Sequence, residues 1–194
     1  MSSDSRGTPG KAFDAIAATL HEGSSPPEKT PQVLHENRLF RVLSDGGEPY
    51  LDPIPYSEGV LIIPRFANGD FLVTRIQRAP NLGLSVEFPR GGLDFGESGA
   101  EGATRELREE TGYALPARSA RALGRIAPSP QLINCKVEVF VIDIPDGAAQ
   151  SAFDANEIHS LARLPERQFA AMAHEGQIFD GMTLAAYALL ALAA

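Results

Sequence analysis

Short runs of apolar residues alternate with turn-forming residues through the middle of this 194-residue chain. The runs 60–63 and 71–74 are separated by Asn68-Gly69-Asp70, and Asn-Gly supplies the positive φ angles that a tight hairpin needs. A nearly continuous apolar run over 137–144 is typical of a central strand. The pattern therefore predicts a hairpin followed later in the chain by a buried strand.

The N-terminal part of the chain has weaker periodicity. Residues 1–31 are rich in Ser, Gly, Pro and Thr, which indicates a mobile leader, although 12–20 is weakly amphipathic and can form a short helix. The run 33–42 predicts a strand, followed by a turn at 44–47 and an extended stretch broken by prolines. These signals predict a small antiparallel sheet ahead of the hairpin.

Helix signals are strongest over 98–111. Ser98 and Glu101 have the spacing of a capping box, and Gly112 stands where a left-handed C-cap ends a helix. Two C-terminal helices are also predicted, over 165–175 and 181–190. Helices mixed with antiparallel strands indicate an α/β or α+β sandwich.

Composition narrows the class of protein. The 17 Lys and Arg residues against 25 Asp and Glu give a formal charge of -8 and a pI near 5.0, which argues against binding to a nucleic-acid polymer. Cys135 is the single cysteine, so there is neither an internal disulfide nor a cysteine-rich zinc site. The apolar run at 185–194 is shorter than the roughly 20 residues of a membrane span, so we expect a cytoplasmic protein without a membrane segment.

Three glutamates fall on one face of the predicted helix over 98–111. Glu106, Glu109 and Glu110 lie at i, i+3 and i+4, and like charges so placed destabilise a bare helix by roughly 0.2–0.5 kcal/mol per pair. A divalent cation that prefers oxygen ligands, Mg²⁺ or Mn²⁺, would offset this repulsion. Three glutamates alone are more typical of a solvated acidic face than of a metal site. The residues around them are therefore needed to distinguish the two.

The surrounding residues form a longer motif. From Gly91 the chain reads Gly, five residues, Glu97, seven residues, and then Arg-Glu-Leu-Arg-Glu-Glu-Thr-Gly-Tyr from Arg105 to Tyr113. This order resembles the Nudix box, G-x5-E-x7-R-E-U-x-E-E-x-G-U, with the aromatic Tyr113 where that family usually has an aliphatic residue. The chain is thus similar to Nudix hydrolases.

The resemblance implies an α/β/α sandwich with a mixed sheet, here preceded by the small antiparallel β segment. On this basis we divide the chain into a mobile leader (1–31), an N-terminal antiparallel β segment (32–57) and a Nudix hydrolase domain (58–194). It also implies hydrolysis, assisted by Mg²⁺ or Mn²⁺, of a diphosphate that links a nucleoside to another group.

Roles for individual residues follow from their positions in the motif. Glu106 and Glu110 would be the principal metal ligands, with Glu109 as a further ligand. The carbonyl of Arg90 would be a backbone ligand. Glu97 would support Arg105 or a metal-bound water, and Arg105 would hold a carboxylate in its metal-binding rotamer.

Residues outside the motif resemble one branch of the family. The segment 86–91, Val-Glu-Phe-Pro-Arg-Gly, is similar to that of ADP-compounds hydrolases and ADP-ribose pyrophosphatases. Pro128 lies 16 residues after Gly112, where those pyrophosphatases carry a proline, and Pro130 is close enough to leave that assignment open. The expected reaction is therefore ADP-ribose to AMP and ribose 5-phosphate. Alternatives are NADH, diadenosine polyphosphates, nucleotide sugars, or an ADP-ribose-sensing module without catalysis.

The same branch suggests residues that meet the substrate. Arg75 or Arg78 would contact the phosphates, because an arginine fork suits bidentate phosphate binding, and Glu87 belongs to the same segment. For the general base the resemblance favours Glu157, with Asp154 second, and Glu109 if neither serves. Members of this branch dimerise, so we expect a homodimer in which the segment 32–57 packs on its partner.

Overall fold

The computed structural model describes residues 30–55, 58–79, 82–155 and 158–193. The leader predicted over 1–31 lies outside these ranges except for its last two residues, and so does the amphipathic stretch 12–20. Glu157, the preferred general base, is also outside them.

Ten strands and three α-helices make up the described ranges. In chain order they are β1 (Gln32–Glu36), β2 (Phe40–Ser44), β3 (Tyr50–Pro53), β4 (Glu58–Phe66), β5 (Phe71–Gln77), β6 (Leu84–Glu87), β7 (Arg90–Gly92), α1 (Gly99–Thr111), β8 (Ala120–Ile126), β9 (Lys136–Ile144), β10 (Ser160–Leu164), α2 (Glu166–His174) and α3 (Gly181–Leu192). A 3-10 turn over Ala117–Ser119 connects α1 to β8.

The strands form two sheets. One is antiparallel with the order β1-β2-β3. The other has seven strands, in the order β10-β5-β4-β9-β8, with β6 paired to β5 and β7 paired to β4. The pair β4 and β9 is parallel and the remaining pairs are antiparallel, so the large sheet is mixed. The predicted N-terminal sheet and the central position of β9 are confirmed.

The two faces of the large sheet are covered by different helices. Successive residues of a strand point to opposite faces, and β4 shows this alternation. Leu61 and Ile63 belong to a core cluster with Phe169 of α2 and residues of α3. Val60 and Ile62 belong to a second cluster with α1. The α/β/α sandwich is therefore confirmed.

Local capping explains where α1 begins and ends. The Ser98 side chain accepts a hydrogen bond from the Glu101 N–H, and the Glu101 carboxylate accepts one from the Ser98 N–H at 3.0 Å, so the predicted capping box is confirmed. Gly112 has φ 78°, and a Cβ at this position would lie 2.1 Å from the Ser151 carbonyl oxygen. Both the backbone conformation and the available space thus require glycine at the helix end.

The single strand predicted over 33–42 is wrong, because the structure has two strands there. Asn37 divides them, since its Oδ1 accepts hydrogen bonds from the N–H groups of Leu39 at 2.8 Å and Phe40 at 3.0 Å. This side-chain turn competes with an extended backbone. Hydrophobic alternation continues through the turn and therefore concealed it.

The predicted β4–β5 hairpin is confirmed, but its turn differs from the expected one. Gly69 has φ 87°, whereas Asn68 keeps a negative φ. The turn is closed by the Phe66 N–H bonded to the Asp70 carbonyl at 2.8 Å. Asn68 acts through its side chain, which donates to the Asp70 carboxylate at 2.9 Å.

The small sheet is hydrogen-bonded to the segment between β8 and β9. The Leu51 N–H of β3 donates to the Leu132 carbonyl at 2.7 Å, and the Asn134 N–H donates to the Leu51 carbonyl at 2.8 Å. The Asn134 side chain also donates to the buried Asp52 carboxylate at 2.9 Å. This attachment brings Pro53 to the wall of a large cavity.

None of the helices in the described ranges is long and apolar enough to span a membrane.

Candidate active site

The last two turns of α1 hold the three glutamates of the motif. The Glu109 side chain is 44 % exposed, whereas Glu106 and Glu110 are largely covered. A Cβ at position 91 would lie 2.0 Å from Glu106 Oε1, so Gly91 leaves the space that this carboxylate occupies. The glycine that opens the motif thus makes room for one of its acids.

Arg105 connects these acids. Its Nε and Nη2 donate to the two oxygens of Glu97, both at 2.9 Å, and its Nη1 donates to Glu106 at 2.7 Å and Glu109 at 3.2 Å. Nη2 also donates to the Gly92 carbonyl at 2.7 Å. The Arg105 bonds hold the pKa of Glu97 below its usual value, and the Glu97 bonds raise the pKa of Arg105. Arg105 therefore ties α1 to the loop that precedes it.

We refer to these residues, with the neighbouring arginine that contacts Glu109 at 3.1 Å, as the acidic cluster: Glu97, Arg105, Glu106, Arg108, Glu109 and Glu110. Four carboxylates face two guanidinium groups, so the cluster has an excess of negative charge. In the described ranges no group of three or more His, Cys, Asp or Glu side chains is already arranged to hold a metal ion. The oxygen donors, and the larger number of carboxylates than guanidinium groups, suit a divalent cation that prefers oxygen ligands.

A second charged group surrounds a buried acid on β6. Glu87 is 1 % exposed. Its Oε1 accepts from Arg78 Nε at 2.8 Å, and its Oε2 lies 2.5 Å from Arg78 Nη2 and 2.6 Å from Arg90 Nη2. The bonds to Glu87 raise the pKa of Arg78. Two guanidinium groups therefore share one buried carboxylate.

Arg90 has a second acidic partner on α3. Its Nη1 donates to Asp180 Oδ1 at 3.1 Å and Oδ2 at 3.0 Å, and lies 3.3 Å from the Met182 sulfur. Asp180 is also the N-cap of α3, where it accepts from the Thr183 N–H at 2.8 Å. We refer to Arg78, Glu87, Arg90 and Asp180 as the arginine cluster.

Two cavities meet at the motif helix. The main cavity has a volume of about 590 Å³ and contains Arg78, Arg90 and Glu110 in its wall. The acidic cavity, of about 500 Å³, is lined by Glu106, Arg108, Glu109, Glu110, Ser151, Ala152 and Asp154. Glu110 belongs to both, and its Oε2 accepts from the Arg90 N–H at 3.3 Å. The arginine cluster and the acidic cluster are thus neighbours, and Glu110 lies in the wall of both cavities.

A sequence model of the NUDIX domain family matches residues 55–182, which are 128 of the 194 residues. The chain belongs to the Nudix family. The resemblance carried by the box is therefore confirmed.

Two curated proteins are similar in sequence to this chain over about half of its length. The octanoyltransferase of Myxococcus xanthus is 36 % identical over 105 residues, which are 48 % of this chain and 29 % of that protein. The ADP-sugar pyrophosphatase of Mus musculus is 31 % identical over 96 residues, which are 50 % of this chain and 38 % of that protein. The matched segments therefore span about a third of the length of these relatives.

A solved structure described as an ADP compounds hydrolase has the same fold. It aligns with a TM-score of 0.62 and 22 % sequence identity, and covers 86 % of this chain and 95 % of that chain. At this identity the likeness concerns the fold alone.

The Nudix fold brings most of the predicted site residues together. Arg78 and Pro128 line the main cavity, whereas Pro130 lines a separate cavity beside the small sheet. Arg75 is exposed on β5 and is not among the residues of the main cavity. Glu87 lies beneath the arginines rather than at the cavity wall.

The loop that follows β9 reaches the acidic cluster. Asp154 lines the acidic cavity, and its N–H donates to the Glu109 carbonyl at 2.8 Å. The Ser151 N–H donates to the Gly112 carbonyl at 2.9 Å, and Gln150 donates to the Thr111 carbonyl at 2.9 Å. These bonds hold the described part of the loop against the end of the Nudix helix.

Sequence reasoning did not find Asp180 and Met182. The spacing between Asp180 and Thr183 is that of an N-cap side chain and the backbone N–H that donates to it, which is a local signal for a helix start. No sequence feature connects Asp180 to Arg90, 90 residues earlier in the chain.

Proposed function

We propose that this Nudix protein hydrolyses diphosphates that join an adenosine 5′-phosphoryl group to another moiety, with ADP-ribose as the preferred substrate. One observation carries the proposal: Glu110 borders both the cavity that contains Arg78 and Arg90 and the cavity that contains the other box glutamates. A diphosphate held by the arginines would therefore lie against the carboxylates.

Four observations favour ADP-ribose among the possible diphosphates. The segment 86–91 is similar to that of ADP-ribose pyrophosphatases, and Pro128 lies in the wall of the main cavity. One relative is an ADP-sugar pyrophosphatase, and a protein of the same fold is described as an ADP compounds hydrolase. The products would be AMP and ribose 5-phosphate.

We assign the metal site to Glu106, Glu109 and Glu110, with the Arg90 carbonyl as a backbone ligand, and expect Mg²⁺ or Mn²⁺. A bound divalent ion supplies charge neutralisation for the diphosphate and lowers the pKa of a coordinated water. Arg105 keeps Glu106 and Glu109 within reach of one another. Glu97 orients Arg105, because both of its oxygens accept from that guanidinium.

In the proposed reaction a water oxygen forms a bond to one phosphorus while the bridging P–O bond breaks. Arg78 binds the phosphoryl oxygens, since it lines the main cavity and is aligned by Glu87. The proton of the attacking water passes to a carboxylate. We assign this general base to Glu157 and, as the second candidate, to Asp154, which lies in the acidic cavity.

A substrate screen tests the proposal. Release of nucleoside monophosphate is measured with ADP-ribose, NADH, diadenosine triphosphate and GDP-mannose, with Mg²⁺, with Mn²⁺ and with EDTA. We expect the highest kcat/KM for ADP-ribose and no turnover in EDTA. Near-normal turnover in EDTA would contradict the metal assignment. Binding of ADP-ribose without hydrolysis of any substrate would instead support a sensing module.

We further propose that the protein is a homodimer through its small sheet. The strand β1 is exposed along its whole length, with Val33 and Leu34 each 50 % exposed, and Leu39 beside it is 58 % exposed. An apolar strand at the edge of a sheet is a template for pairing with another chain. The cytoplasmic location stays a prediction.

Light scattering tests the dimer. Wild-type protein at micromolar concentration is expected to have the mass of two chains, and Leu34→Lys is expected to shift it toward one chain. Leu192→Lys is the matched control, because Leu192 is 85 % exposed on α3 and far along the chain from the small sheet. A monomeric mass in a fully active wild-type sample would refute the dimer.

A further inference from the structure

We infer that the guanidinium of Arg90 is a second anion-binding group of the site, and that Asp180 is the positioning residue that holds it. The identity of the anion, a diphosphate, rests on the function proposed above. The Nudix box gives Arg90 a role only through its backbone carbonyl. The geometry of its side chain points to an additional role in binding.

Arg78 and Arg90 are held next to one another by a shared acceptor. Both line the main cavity, and both place an Nη2 within 2.6 Å of Glu87 Oε2. Glu87 is buried, so this carboxylate cannot turn toward water without breaking the pair. A diphosphate presents oxygens on two adjacent phosphorus atoms, and two neighbouring guanidinium forks match that pattern.

Asp180 fixes the orientation of the Arg90 guanidinium. Nη2 is paired with Glu87 and Nη1 with Asp180, and these two contacts, together with the covalent link at Nε, restrict the orientation of the planar guanidinium. Asp180 is not among the residues that line the main cavity, so it would act on a bound anion through Arg90. This defines it as a positioning residue.

The start of α3 is itself held against the strand that carries Arg90. The Asp180 carboxylate accepts from the Thr183 N–H at 2.8 Å, which keeps the acid at the helix cap. The Thr183 hydroxyl accepts from the Phe88 N–H at 3.1 Å, and both groups are buried. The Phe88–Thr183 bond and the Arg90–Asp180 ion pair therefore both connect the beginning of α3 to the segment that contains Arg90.

Donors remain available on both arginines. Among the described residues, Arg78 Nη1 and Arg90 Nε have no hydrogen-bond partner. The two guanidinium charges are matched by the carboxylates of Glu87 and Asp180, so the cluster has no excess positive charge. The position of the remaining N–H donors, rather than net charge, would therefore determine how well an anion binds.

Calorimetric binding in EDTA tests the inference with ADP, inorganic pyrophosphate and adenosine as probes. Arg90→Met should weaken ADP and pyrophosphate binding about tenfold to a hundredfold, while adenosine binding stays unchanged. Arg90→Lys keeps the charge but not the fork, and should give an intermediate loss. Affinity for ADP within twofold of wild type in both variants would overturn the inference.

Asp180→Asn separates the positioning role from helix capping. Asparagine retains a cap oxygen for the Thr183 N–H but loses the negative charge that faces Arg90. We expect ADP binding to weaken about threefold to tenfold, and the KM for ADP-ribose to rise more than kcat falls. Asp143→Asn is the matched control, because it removes one acid from an exposed ion pair with Arg65.

A double-mutant cycle establishes whether Asp180 acts through Arg90. In the Arg90→Met background, Asp180→Asn should cause no further loss of ADP affinity. An equal loss in both backgrounds would overturn the positioning role.

A wild-type protein that binds ADP through these residues but hydrolyses none of the substrates refutes only the proposed function. If Arg90→Met hydrolyses ADP-ribose with an unchanged KM, only the anion-binding role of Arg90 is refuted. If the wild-type protein binds neither ADP nor pyrophosphate, that role is also refuted.

Discussion

The acidic cluster and the arginine cluster border the same site but balance their charges differently. In the acidic cluster four glutamates face Arg105 and Arg108, and Glu109 is 44 % exposed. In the arginine cluster two guanidinium groups face two carboxylates, and Glu87 is 1 % exposed. Among its named side chains the first cluster has two more carboxylates than guanidinium groups, whereas the second has equal numbers of each.

This difference indicates how each cluster meets a ligand. Excess carboxylate charge costs stability until a cation compensates it, so the acidic cluster is suited to bind metal. Buried carboxylates with complete partners hold their arginines in place before any ligand arrives. When the donors are already held in position, less of the binding free energy of a phosphate is spent on ordering the side chains.

The largest effect is expected from the proposed metal ligands. Glu110→Gln and Glu106→Gln should each lower kcat by several decades, because a lost ligand removes charge stabilisation in the transition state. ADP-ribose hydrolysis at saturating Mg²⁺ measures the effect. ADP binding in EDTA should fall less than tenfold, since the arginines remain. Near-normal turnover in both variants would contradict the metal assignment.

The general base should give the next largest effect. A general base typically contributes about 10²- to 10⁴-fold, so Glu157→Gln should lower kcat by that range, with a smaller loss at high pH where hydroxide replaces the base. Asp154→Asn is the matched comparison. A hundredfold loss in Asp154→Asn, with Glu157→Gln above about a third of wild-type kcat, would reverse the two roles. If neither variant is impaired, Glu109 is the next residue to test.

Loss of one carboxylate charge should have a large effect on stability in the arginine cluster and a small effect in the acidic cluster. Glu87→Gln leaves two guanidinium groups without their shared buried partner and should cost about 3 kcal/mol of unfolding free energy. Glu109→Gln relieves repulsion on an exposed helix face and should change that free energy by less than about 0.5 kcal/mol. Urea denaturation without metal measures both. Equal losses of unfolding free energy in the two variants would contradict the difference in charge balance between the arginine cluster and the acidic cluster.

A smaller effect is expected on the unfolding free energy at acidic pH. Arg105 lowers the pKa of Glu97, so the folded state holds this proton less readily than the unfolded state. The resulting stabilisation is present above the usual pKa of 4.5 and is lost as the pH falls through the lower folded value. Glu97→Gln should therefore flatten the loss of stability below pH 4.5. Urea midpoints at several pH values provide the comparison.

Most of the acidic cluster was predictable from the sequence. Its members lie in one helix and the loop before it, and the capping residues Ser98, Glu101 and Gly112 act within four residues of their partners. Local spacing is enough in such a case, because the helix period places i, i+3 and i+4 on one face. The break at Asn37 is a local effect that hydrophobic alternation concealed.

The arginine cluster needed the three-dimensional fold. Arg75 and Arg78 are equivalent in the sequence, and only the course of the chain at the end of β5 puts Arg78 in the main cavity and leaves Arg75 outside it. The choice between Pro128 and Pro130 is of the same kind, since the two prolines line different cavities.

The sequence by itself determined the Nudix family, the motif helix and the identity of the carboxylates, because the spacing of these residues is local and the helix converts spacing directly into position. Only the tertiary structure decided that Asp180 meets Arg90, 90 residues earlier, and that Glu110 borders both cavities. These contacts depend on strand order and on how α3 packs across the sheet. Such long-range packing is set by burial of the whole core, and no window of the sequence contains it.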